Sequence, residues 1–110
     1  MKKYLNVQGD GVNCLKIEVY YHLGGMNYFT NKNEKRGYYL SILPIEKKGN
    51  IESCVAFSGI KILLLEVKRK SNKSYNTALK LAEDLEEKYI KYVCDRNNLE
   101  LLWGVIIWII

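Results

Sequence analysis

Apolar and polar residues alternate from Leu15 through Tyr21, which places Leu15, Ile17, Val19 and Tyr21 on one face. A period of two is that of a β-strand buried on one side. Residues 3–8 form a weaker strand candidate, joined to the first through Gly9, Asp10 and Gly11, whose glycines permit the positive φ of a tight hairpin. Residues 38–46 read as a further strand, because Tyr, Leu and Ile suit a pleated, half-buried surface. Pro44, the only proline, restricts that strand to an edge or a bulge. The polar turn at residues 47–50 leads into 51–57, where Ile51, Ser53, Val55 and Phe57 share a face.

Residues 60–67 fit two templates. Ile60, Leu63, Leu64 and Val67 fall at helical spacing, Lys61, Glu66, Lys68 and Arg69 mostly occupy the other side, and Ser58 can cap a first turn. The competing strand would align Ile60, Ile62 and Leu64 with Glu66, a charge where the core should be. The expectation is therefore a short helix over 58–70. Residues 75–96 are helical throughout, with apolar positions at Ala78, Leu81, Ala82, Leu85, Tyr89, Tyr92 and Val93. Asp84 and Glu87 each precede a lysine by four residues, a favourable helical pairing. Asn97 and Asn98 tolerate a left-handed cap and predict the stop.

Residues 101–110 carry no charge. As a helix they would reach only roughly 15 Å, too short for a bilayer, and their β-branched content favours a strand covered on both faces. The coverings available are a central position in the chain's own sheet or a neighbouring subunit, and a homo-oligomer is favoured. Together the elements predict a single α+β domain over residues 1–110. Its antiparallel sheet of three to five strands packs against one long and one shorter helix.

Composition narrows the class without naming an activity. At 48% hydrophobic and 26% charged residues, the chain is too apolar for intrinsic disorder, and 110 residues support one core. Cys14, Cys54 and Cys94 are widely spaced and odd in number, which argues against a disulfide framework and for a reducing cytoplasm. No apolar stretch follows the basic residues at the start of the chain, so no signal peptide is expected. His22, the only histidine, has no triad or metal partners fixed by spacing, and Asp10 and Glu18 are merely near it in sequence. No catalytic residue, metal ligand or cofactor motif emerges. The Gly24–Gly25 pair lacks the Lys and Ser/Thr of a phosphate loop and more plausibly shapes a hairpin tip.

Charge is the informative property. Of 17 basic and 12 acidic residues, net +5, residues 31–48 hold five basic and two acidic, residues 61–73 five basic and one acidic, and residues 83–87 four acidic. Such segregation creates a face able to attract phosphates or an acidic protein. Tyr28, Phe29, Tyr38 and Tyr39 flank Lys32, Lys35 and Arg36, so bases could stack there, although tyrosines in a small sheet also serve simply as strand formers. The candidate ligand-binding residues are Tyr28, Lys32, Lys35, Arg36, Tyr38, Lys68, Arg69 and Lys70. Their expected partner is nucleic acid or an anionic nucleotide, with an acidic host protein as the alternative.

Residues 36–45, 57–61 and 66–71 resemble a group of short phage proteins of gut bacteria, a similarity covering about half the chain. That group has no assigned activity, so the resemblance transfers no site residue. It implies a setting, the host-cell cytoplasm, in which small accessory proteins act by binding: as inhibitors of host defence, as sponges for signalling nucleotides, or on nucleic acid.

Overall fold

The computed structural model describes residues 1–28, 30–54 and 59–109, the last seven of these through their backbone alone. In chain order the elements are β1 (Lys2–Gly9), β2 (Val12–His22), β3 (Gly25–Asn27), β4 (Lys32–Glu34), β5 (Gly37–Lys48), β6 (Ile51–Cys54), β7 (Ile60–Glu66), α1 (Asn72–Asn97) and β8 (Glu100–Ile109). Six strands form one antiparallel sheet in the order β6-β5-β2-β1-β8, with β7 also paired to β5. β3 and β4 make a separate two-stranded ribbon. The fold is thus α+β as expected, with one strand more than the range foreseen.

The alternation in β2 does what its period requires. Leu15, Ile17 and Val19 are buried beneath α1 together with Val7, Tyr38, Leu40 and Ile42. The helix presents Ala78, Ala82, Val93 and Cys94 to them, two of these being alanines that let its backbone approach the sheet. Ser71 caps α1 reciprocally with Ser74, and Asn98 closes it in the left-handed conformation at φ 53°.

Residues 60–66 are a strand, correcting the expected short helix; α1 is the one helix among the described residues. Ser58, the cap assigned to that helix, lies outside the described residues. So do Val55 and Phe57 of the expected strand over 51–57. A bulge removes the objection to a strand. Tyr39 pairs with Leu63 but Tyr38 with Leu65, so Leu64 is an extra residue on β7. Before it Ile60 and Ile62 lie across from Ile42 and Leu40; after it Leu65 and Val67 continue on the core side and Glu66 turns outward.

Pro44 is not on an edge strand. It lies in β5, opposite Leu15 of β2, where the outer partner changes: β7 pairs with Gly37 to Ile42 and β6 with Ile45 to Lys48. A residue without an N–H is tolerated where no outer ladder has to be continued. Residues 100–109 form a strand, as their composition favours, but at the end of the sheet beside β1 rather than at its centre. What its side chains from Trp103 onward cover lies outside the described residues.

Candidate functional site

The connection between the long hairpin strands β2 and β5 is itself the β3–β4 ribbon. Gly24 starts it at φ 80°, and a Cβ there would stand 2.9 Å from the Glu34 carbonyl, so only glycine fits the bend. At the ribbon's base the Arg36 side chain donates from Nε to the Leu23 carbonyl at 2.9 Å. The Val67 amide donates to the Arg36 carbonyl at 3.2 Å, continuing the ladder between β5 and β7 beyond its last pair. That bond sets Lys35 and Arg36 beside the chain that runs on into Lys68, Arg69 and Lys70. The two basic segments, distant in sequence, meet at one end of the sheet.

Helix α1 begins at the same end. Its first turn contains no acidic side chain, so the positive end of its dipole is uncompensated by a carboxylate. Beside it lies a cavity of about 390 Å³ lined by Tyr21, Tyr38, Lys70, Ser71, Asn72 and Tyr75. The tyrosines form an aromatic wall: Tyr21 meets Tyr38 edge-on at 5.2 Å, and Tyr38 tilts against Tyr75 at 5.9 Å. Their hydroxyls are anchored. Tyr21 donates to the Val67 carbonyl and Tyr38 to the Ser71 carbonyl, each at 3.4 Å, while the Tyr75 oxygen accepts from the Met1 amino group at 2.6 Å. Lys70 Nζ lies 5.4 Å from the Tyr21 ring centre.

Lys68, Arg69 and Lys70 are exposed, and Lys68 and Arg69 make no side-chain hydrogen bond or ion pair among the described residues. Lys35 reaches Glu66 at 3.6 Å, an exposed pair of little energetic weight. Lys32 and Tyr28 stand at the opposite, distal end of the ribbon, where Tyr28 is 89% exposed. Tyr38 is a correction: it is 3% exposed, because it faces the helix in β5, so its ring has no free face for a base and only its edge lines the cavity. Tyr39 is buried on the opposite face of the sheet, and Phe29 lies outside the described residues. The sequence reading missed Tyr21, Ser71, Asn72 and Tyr75. An N-cap serine followed by Asn72, Lys73 and Ser74, with no carboxylate, was the available signal.

The open face of the sheet carries a different cluster. Tyr20 stacks on Tyr39 at 6.2 Å, His22 tilts against Tyr39 at 5.5 Å, and Lys61 Nζ sits 4.8 Å from the Tyr39 ring centre. Lys61 pairs with Glu34, which also accepts from Asn27 at 2.6 Å; these bonds hold the Glu34 carboxyl below its usual range. His22 Nδ1 accepts the Gly24 amide at 2.8 Å, so its ring is fixed by the turn. Further along, Tyr4 donates to Glu52 at 2.9 Å and Lys16 pairs with the same carboxylate at 3.0 Å. Burial opposes ionisation of Glu52, yet the bonds from Lys16 and Tyr4 prevail and lower it. No group of three or more metal-ligating side chains occurs among the described residues.

The larger cavity, about 670 Å³, has the wrong sign for a phosphate. It lies between α1 and the β1–β8 side of the sheet, with Glu83, Glu86, Glu87, Asp95 and Glu100 against only Lys3 and Lys91. Charge is therefore separated in space as well as in sequence. Among known proteins the chain matches no family model, no curated protein and no solved structure. Among the described residues, no helix is long and apolar enough to cross a membrane.

Proposed function

We propose that this protein is a small non-enzymatic binding protein for a phosphate-bearing anion, nucleic acid or a nucleotide, held at the end of the sheet where α1 begins. The observation that carries the reading is the Val67-to-Arg36 backbone bond, which draws both basic segments to the acid-free helix start and its tyrosine-walled cavity. Helix N-terminal amides and lysines complement phosphate oxygens in charge and in hydrogen bonding. Lys68, Arg69, Lys70, Lys35 and Arg36 form the binding set, with Tyr28 and Lys32 extending it along the ribbon. The setting that fits is that of a phage accessory protein in the host cytoplasm.

A second reading, inhibition of an acidic host protein, is favoured by the ribbon itself. Leu23 and Met26 are 67% and 45% exposed three residues apart, apolar side chains that a phosphate ligand would not use. The test is thermal unfolding at low salt with single-stranded nucleic acid, duplex nucleic acid and cyclic dinucleotides, each in excess. A ligand at about 100 times its Kd stabilises by about 2.7 kcal/mol, a shift of roughly 10 °C for a domain of this size. No shift with any of them removes the phosphate reading and leaves the inhibitor.

A further inference from the structure

Helix α1 does not cover the whole sheet. It packs chiefly over β2, β5 and β7, and its other flank is one wall of the cavity of about 670 Å³ that opens toward β1 and the start of β8. Glu83, Glu87, Ile90, Cys94 and Asp95 follow one another along that flank at helical spacing, so the cavity is a groove running roughly 18 Å beside the helix. Leu5, Ile90, Leu99 and Leu101 give it a half-buried apolar floor. Exposed carboxylates stand at both ends, Glu83 and Glu87 at one and Asp95 and Glu100 at the other. None of these four is in an ion pair among the described residues, whereas Glu86 already holds Lys3.

We propose that this groove docks an amphipathic helix of a partner protein, apolar along one face and carrying Lys or Arg toward both of its ends. Charge complementarity sets the chemistry: the apolar floor fits an apolar stripe, and the unpaired carboxylates at either end fit cations flanking it. The position of the groove sets the conformation. Its floor is made of side chains on a face of the sheet and not of a strand edge, so an extended segment lying there would bury backbone N–H and C=O groups without partners, groups that a helix satisfies internally. The length fits about twelve helical residues, or about three turns. A small organic cation fits less well, because it would meet one pair of carboxylates and leave the other at the far end of the groove. The groove is separate from the basic end where α1 begins, so the two surfaces can be occupied independently.

The test uses the full chain and a fluorescein-labelled peptide of about 14 residues, made of leucine, alanine and lysine with the leucines at helical spacing and the lysines toward both ends. Because the protein carries net +5, capture of this cation requires a local site. Fluorescence anisotropy should show saturable binding below about 100 µM, and the peptide should gain helical circular dichroism on binding. No saturation, or binding without helix formation, overturns the proposal. Glu83→Gln with Glu87→Gln, and Asp95→Asn with Glu100→Gln, should each weaken binding about tenfold, while Asp84→Asn, exposed on the same helix outside the groove, should leave it unchanged. All these side chains are exposed, and the melting curve of each variant establishes that it is folded. An equal loss in Asp84→Asn, or equal binding of a peptide with serine in place of leucine, reduces the attraction to unspecific charge and overturns the groove as the site. Displacement of the peptide by octylamine at matching concentration assigns the groove to a small cation and overturns the helix as its occupant.

Discussion

The Val67 amide is hydrogen-bonded to the Arg36 carbonyl at 3.2 Å, tying the base of the ribbon to the segment that enters α1. Because the bond is between backbones, it fixes where the flanking lysines and arginines emerge whatever their side chains do. The positive end of the molecule is thus a product of strand pairing, and its function can be probed by removing charge without removing the pairing.

For a bound nucleic acid, replacing Lys68, Arg69 and Lys70 together by alanine should reduce the slope of log K against log salt by about 2 to 3, each lost phosphate contact contributing just under one. The Lys32, Lys35 and Arg36 triple variant should also weaken binding, through Lys35 and Arg36 at the base of the ribbon and Lys32 at its distal end. Unchanged affinity and slope in both, with unchanged melting, would remove the basic segments from the site.

Lys3 is 7% exposed and pairs with Glu86 of α1, joining β1 to the helix inside the acidic groove. Glu86→Ala should lower stability by about 3 kcal/mol, since a buried charge then loses its main counter-charge. Replacing the pair by Lys3→Met with Glu86→Leu should recover most of that loss. Urea midpoints of the three chains decide it, and a Glu86→Ala midpoint equal to the parent's would show that the pair does not join the two elements.

Alkali should unfold the protein in a defined window. Burial first, then the hydrogen bond to Glu52, pushes Tyr4 up to about 12, and burial with the nearby Glu34 and Glu18 does the same for Tyr20. A folded pKa above the ordinary 10 means that the native state holds those protons longer. Their contribution is complete below pH 10 and is lost as the pH rises toward 12. Ultraviolet titration of tyrosinate should therefore show a late-titrating fraction that shrinks in Tyr4→Phe. A single transition near 10 for every tyrosine in the folded protein would contradict the packing of the open face.

Removing residues 101–110 should abolish soluble folding. The deletion strips β8 from β1 and removes Leu101, which packs against the core, with nothing to replace it. Solubility and circular dichroism of the truncated chain are the measurements. A truncated chain melting cooperatively at the parent temperature would make the strand dispensable to the fold.

Several features of this protein were legible in its sequence because they depend on neighbours a few residues away. The period of two in Leu15, Ile17, Val19 and Tyr21, the helical spacing from Ala78 to Val93, the left-handed stop at Asn98 and the strand character of the uncharged end are all local patterns, and the structure bears them out. The opposite segregation of the basic and acidic runs was equally visible as composition along the chain. Where the sequence reading failed, the deciding contact was remote. Residues 60–66 satisfy a helical template as well as a strand, and pairing with β5, with Leu64 set aside as a bulge, decided for the strand by turning Glu66 outward. Pro44 sits inside the sheet because two different strands share the outer side of β5, a circumstance no local rule contains. Tyr38 and Lys70 belong to one cavity, with Tyr38 buried and Lys70 exposed, because the helix packs over one face of β5 and starts at its edge. Local spacing determines which backbone geometry a segment can adopt; only the partner across the sheet determines which of its faces meets water, and with it which residues are free to bind.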